Sequence, residues 1–154
     1  MSNSYQHIDL SYLESITDGS LDIIKELIAI FVEQVPEFTE DFADGMANKD
    51  WKKIAAAAHK AKSSVVSMGI NNLGNIDLKN LELLTKQLYV DELVAKGEST
   101  SELEQLQKVL ASYPEDKKQW IAENKNEETV IGLIKKFDIV CEEAVEELNQ
   151  VLDK

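Results

Sequence analysis

The chain has 154 residues, 44% of them hydrophobic and 29% charged, enough to bury one ordinary core without disulfides or metals. Its 16 basic and 29 acidic residues leave a formal net charge of -13, and every basic residue is a lysine. No nucleic-acid partner is expected of such a chain, because phosphate backbones need a basic, arginine-rich face, and the single cysteine, Cys141, excludes a disulfide framework within it.

The opening MSNSYQHIDL has no basic stretch ahead of an apolar one, so no secretory signal is expected and a cytoplasmic location is. Asp9 is placed to cap a short helix carrying Leu10, Leu13 and Ile16, which Asp18-Gly19-Ser20 closes. Leu21, Ile24, Ile28, Phe31, Val35, Phe38 and Phe42 then follow in steps of three and four, the seam of a long helix from Leu21 to about Ala47. Pro36 should bend that helix without ending it, since the stripe continues in register to Phe42. Asp22, Lys25, Glu26 and Glu33 interrupt its most apolar window, which falls short of the ~20 uncharged residues of a membrane span.

Asp50 is a good N-cap for a third helix, Trp51 to about Met68, with Gly69 placed for the left-handed position beyond its end. Asn71 is expected to cap a fourth helix through Leu73, Ile76, Leu81, Leu84 and Leu88. The short connection between the two makes them antiparallel. Ser101 with Glu104 reads as a capping box ahead of Leu103, Leu106, Val109 and Leu110. Pro114 breaks that piece, and a short helix with Trp120 and Ile121 follows. Val130, Ile134, Phe137, Cys141, Ala144, Leu148 and Val151 finally mark a helix from Glu127 to Leu152, with Cys141 as a small core residue. The fold class expected is all-α: an antiparallel up-down four-helix bundle with a short N-terminal helix and a helical insertion before the last helix. One domain spans 1–154, with its core at about 9–88 and 127–153 and an accessory insertion at about 89–126 that covers the distal end or, as the alternative, selects a partner.

Only two histidines are available for chemistry. His7 lies in a polar terminal stretch of the kind that is usually mobile. His59 lies on the third helix, where ~100° per residue gathers Ile54, Ala58, Ala61, Val65 and Met68 on one face and turns His59 ~140° away from its centre. An exposed lone histidine is ordinarily a surface residue with no role, but its neighbours are unusual. Ala55, Ser63 and Val66 share its stripe with Ala56 beside them, so a second protein could approach the ring closely. Lys62, three residues on, can reach a group bonded to the imidazole. Residues 9 to 44 hold ten acidic residues against Lys25 alone, whereas residues 49 to 62 hold Lys49, Lys52, Lys53, Lys60 and Lys62 against Asp50. A phosphoryl group of about two negative charges would find its compensation in that second segment.

The stretch AHKAKSSVVSMGINNL from Ala58 to Leu73 resembles the signature of the histidine phosphotransfer (Hpt) family, whose histidine is followed three residues later by lysine, five later by a small residue and ten later by glycine. Here these are Lys62, Ser64 and Gly69. FVEQVP from Phe31 and the pair Leu81-Glu82 are also similar, while Ala61 and Ser63 stand where the family often has leucine and glycine. The resemblance implies phosphoryl transfer from a receiver-domain phosphoaspartate to His59 and onward to another receiver's aspartate. The partners it implies are receiver domains of response regulators or hybrid sensor kinases, which bring the aspartate and its Mg²⁺. It also implies that Gln34 bonds near the phosphorylated ring. Lys62 is the resident cation, and the binding face comprises Gln34, Ala55, Ser63, Ser64, Val66 and Gly69. A free imidazole, with its ordinary pKa of about 6.5, is mostly neutral near pH 7 and needs no general base to attack phosphorus.

No cofactor, metal or ATP site is expected. The six glycines form neither GxGxxG nor GxxxxGK, and Ala56 stands where a di-metal Glu-x-x-His would need its glutamate. The chain is expected to be a monomer. The alternative from another class is a non-catalytic helical adaptor that uses its surface only for binding signalling partners.

Overall fold

The structure, a computed structural model, describes residues 5–154; the first four residues of the MSNSYQHIDL stretch lie outside the described residues. Every regular element among the described residues is helical: α1 (Ser11–Thr17), α2 (Leu21–Asn48), α3 (Trp51–Ser67), a π-helical segment (Leu73–Leu78) running straight into α4 (Lys79–Ala95), α5 (Ser101–Ala111), α6 (Glu115–Asn124) and α7 (Glu127–Leu152). α2 packs against α3 and α7, α3 against α4, and α4 against α7, so these four helices surround the core. No helix among the described residues is long and apolar enough to cross a membrane.

α2 carries Pro36 within a continuous helix, as the unbroken stripe requires, and buries Ile24, Ile28, Phe31, Phe38 and Phe42. Phe137 of α7 meets Phe38 and Phe42 edge-on, with ring centroids 6.4 and 5.1 Å apart. Such pairs add about 0.5–1.5 kcal/mol each beyond their area burial. Cys141 lies in the same core, where burial first and Asp138 second push its thiol up to about 12, so it is inert toward thiolate chemistry.

Several boundary expectations are corrected. Asp9 stands one residue ahead of the cap position of α1, and its carboxylate accepts hydrogen bonds from the Ser11 amide and hydroxyl at 2.9 and 2.6 Å. Thr100, not Ser101, caps α5, its hydroxyl accepting from the Leu103 amide at 3.2 Å. Asn71 caps nothing. It is itself helical, and the first turn closes on the Ile70 carbonyl, which accepts from the Gly74 amide at 3.2 Å. The π-helical segment adds a residue to one turn and resets the helix phase, which leaves Ile76 53% exposed instead of in the core stripe. Ile16, Leu21 and Val109 are likewise exposed rather than buried. α4 extends to Ala95, so the insertion begins later than residue 89.

Two glycines set the approach of the neighbouring elements. Gly69 takes φ +82° just beyond α3 and donates to Val66 O while Ile70 donates to Val65 O, the double bond of a glycine-ended helix. A Cβ there would also strike the Asp9 backbone, where the Asp9 amide donates to Met68 O. Gly74 presses against α3, and a Cβ on it would lie 2.9 Å from Lys62 O. Nothing larger lets α4 start so close to the helix that carries His59.

Residues 6–8 are anchored, so His7 does not lie in a mobile stretch. Glu147 of α7 accepts from the amides of Gln6, His7 and Ile8 at 2.8, 3.0 and 3.1 Å, and Ile8 is buried.

Candidate functional site

The register of α3 decides where its histidine points. Ile54, Ala58, Ala61, Val65 and Met68 are all buried, and the His59 side chain on the opposite side is 66% exposed. Below the ring lies Glu82 of α4, a charged residue only 3% exposed between the buried Leu81 and Leu83. Its Oε2 lies 3.2 Å from His59 Nδ1 and accepts from Lys86 Nζ at 2.7 Å, while its Oε1 accepts from Lys62 Nζ at 3.5 Å.

These bonds bear on the charge of the carboxyl and on the tautomer of the ring. Burial pushes the Glu82 carboxyl up, but the Lys86 hydrogen bond and the charges of Lys86, Lys62 and His59 outweigh it and hold the carboxyl below its ordinary range. An ionised carboxylate only accepts, so Nδ1 of a neutral His59 must carry the hydrogen and Nε2 keeps its lone pair. The arrangement therefore leaves Nε2 toward solvent, with two ammonium groups on the carboxylate that holds Nδ1.

His59 opens onto a cavity of about 380 Å³ that includes Ala55, Ala56, Tyr89 and Leu106. One wall belongs to α5: Glu102 pairs with Lys52 at 2.8 Å and accepts from the Tyr89 hydroxyl at 3.4 Å. The insertion thus borders the His59 face rather than covering only the distal end. A larger cavity of about 540 Å³ between α4, α5 and α6 contains no histidine.

The residues expected around the ring divide into two groups. Ser63 is exposed beside it, its hydroxyl donating to Lys60 O at 3.2 Å. Ala55, expected on the open stripe, is buried, because α4 and α5 close that flank of α3; Val66 is half-buried against Gly74. Gln34 and Ser64 line a second groove, between α1, α2 and α3, with Tyr12, Ile16 and Ile30, and Gln34 makes no bond to His59. Gly69 acts at the end of α3, away from the ring. The lysine-rich segment is largely neutralised already: Lys49 pairs with Glu127, Lys52 with Glu102, Lys53 with Asp44 and Lys62 with Glu82.

Sequence reasoning missed Glu82 as a partner of the ring, and Lys86 altogether. The available signal was a carboxylate inside the apolar run LELL, with a lysine four residues on, since a charge in such a run must find partners where it is buried. No protein-family model matches the chain, and neither a curated protein nor a solved structure matches it.

Proposed function

We propose that the chain is a histidine phosphotransfer module, an up-down four-helix bundle of α2, α3, α4 and α7 that takes a phosphoryl group from a receiver-domain phosphoaspartate onto His59 Nε2 and passes it to another receiver. The observation that carries this reading is an exposed imidazole whose Nδ1 is held by a buried carboxylate, so that Nε2 alone is left to react. The motif Ala58 to Leu73 supports it independently.

The chemistry balances without a resident base. The Nε2 lone pair forms the N–P bond as the acyl phosphate P–O bond breaks, and the receiver's aspartate leaves as a carboxylate. The ring retains its Nδ1 hydrogen and becomes cationic, facing Glu82, which stabilises that charge as the carboxylate behind a catalytic histidine does. Lys62 supplies charge neutralisation to the phosphoryl oxygens, where transfer depends chiefly on positioning and electrostatics. Return transfer runs the same steps backwards, with the phosphoimidazolium as the leaving group.

The exposed Tyr12, Ile16 and Ile30 on α1 and α2 supply an apolar flank on which a receiver can dock. Incubation with phosphorylated receivers should place an acid-labile, alkali-stable label on the chain, and His59→Gln should remove it. Equal labelling of wild type and His59→Gln would refute the reading. Binding of a receiver with no label under any condition would favour the adaptor.

A further inference from the structure

His59 Nδ1 and Lys86 Nζ converge on the same atom, Glu82 Oε2, at 3.2 and 2.7 Å, whereas Lys62 Nζ takes the other oxygen at 3.5 Å. Lys86 is thus the nearer competitor for the one oxygen that orients the ring. The ionisable groups around His59 are Lys52, Lys60 and Lys62 on α3, Glu82, Lys86 and Tyr89 on α4 and Glu102 on α5. Lys52 and Glu102 neutralise each other at 2.8 Å. That leaves Glu82 as the carboxylate bonded to the ring and Lys86 as the closest counterweight to it.

Resting on the phosphotransfer reading, we propose that Lys86 is a positioning residue that shares Glu82 Oε2 with His59 and so opposes a second proton on the Glu82–His59 pair. The electrostatic reason is direct. A buried carboxylate beside an imidazole forms a coupled pair that binds an extra proton, and a cation in contact with that pair opposes the proton whichever partner would hold it. When the proton stays on Nε2, no lone pair remains to attack phosphorus. Lys86 therefore extends the pH range in which His59 is nucleophilic toward acid by acting through Glu82.

The test uses the full chain and needs no receiver. Ring resonances of His59 are followed by NMR against pH in wild type, Lys86→Met and Lys86→Arg, and labelling by phosphoramidate, a small phosphoryl donor, is measured over the same range. In Lys86→Met the titration midpoint should rise by about one pH unit, the effect of one nearby charge. Labelling below the wild-type midpoint should fall by up to about tenfold and recover well above the variant's midpoint. Lys86→Arg should restore the wild-type profile. If Lys86→Met does not fold, Lys86→Gln, which keeps a donor to Glu82 without the charge, carries the same comparison. An unchanged or lowered midpoint would overturn the inference, as would an equal loss of labelling at every pH. If the midpoint and the phosphoramidate profile shift as expected while no receiver transfers to the wild-type chain, the coupling stands and the relay function falls.

Discussion

The chain offers its own control for the site, because both histidines sit 3.2 Å from a glutamate. At His7 the ring side chain is 16% exposed and Glu143 is 48% exposed; at His59 the ring is 66% exposed and Glu82 is 4% exposed. Burial is inverted between the two. The contact at His7 is made to a carboxylate that solvent reaches, and it helps to fasten residues 6–8, whose amides Glu147 already holds. The contact at His59 places a dehydrated acid, locked by two lysines, behind an open ring. A histidine–carboxylate distance is therefore not a site by itself. What makes one is an acid that cannot turn to solvent and a nitrogen that can.

The widest separation between the two should come from replacing the rings. His59→Gln should abolish phosphoryl acceptance, measured as label retained after alkali, and shift stability by only roughly 0.5 kcal/mol because the position is exposed. Next in size is Glu82→Gln, which substitutes a group able to donate to Nδ1 and so stabilises the wrong tautomer. Acceptance should drop about 100-fold with circular dichroism unchanged, and an unchanged rate would remove Glu82 from the mechanism. Lys62→Ala should slow rapid-quench transfer about tenfold by removing the cation on which the proposed charge neutralisation rests. His7→Gln is the smallest change, with acceptance within about twofold of wild type.

Acid sharpens the same contrast. A Glu82 carboxyl held below its ordinary value of 4.5 contributes stability that is complete above that value and is lost as the pH falls through its lower folded value. Urea midpoints should therefore decline more for wild type than for Glu82→Gln between neutral pH and about pH 3.5. A parallel decline would mean that the buried carboxylate contributes no pH-dependent stability.

Much of this was legible in advance where the rule is local. The buried face of α3 and the outward turn of His59 follow from a 100° step. Gly69 beyond α3 and Asn126 before α7 do what their residue types favour, the Asn126 side chain accepting from the Thr129 amide at 2.9 Å. The errors fell where a second element intervenes. The helical step puts Ala55 on an open stripe, but the α4–α5 side covers it; residues 89–126 read as separate from the site, yet Glu102 and Leu106 line its cavity.

By itself, then, the sequence determined the helices, the side of α3 that faces the core and the histidine that projects from it, because these depend on spacings of three and four residues and on backbone preferences at single positions. Only the tertiary structure decided what stands behind that histidine. Glu82 is 23 residues from His59 along the chain. The side it presents depends on a π-helical turn and on the close approach that Gly74 permits. Phase and distance between packed helices arise from many side chains at once, so the run LELL marks Glu82 as a buried charge in need of partners but not His59 as one of them.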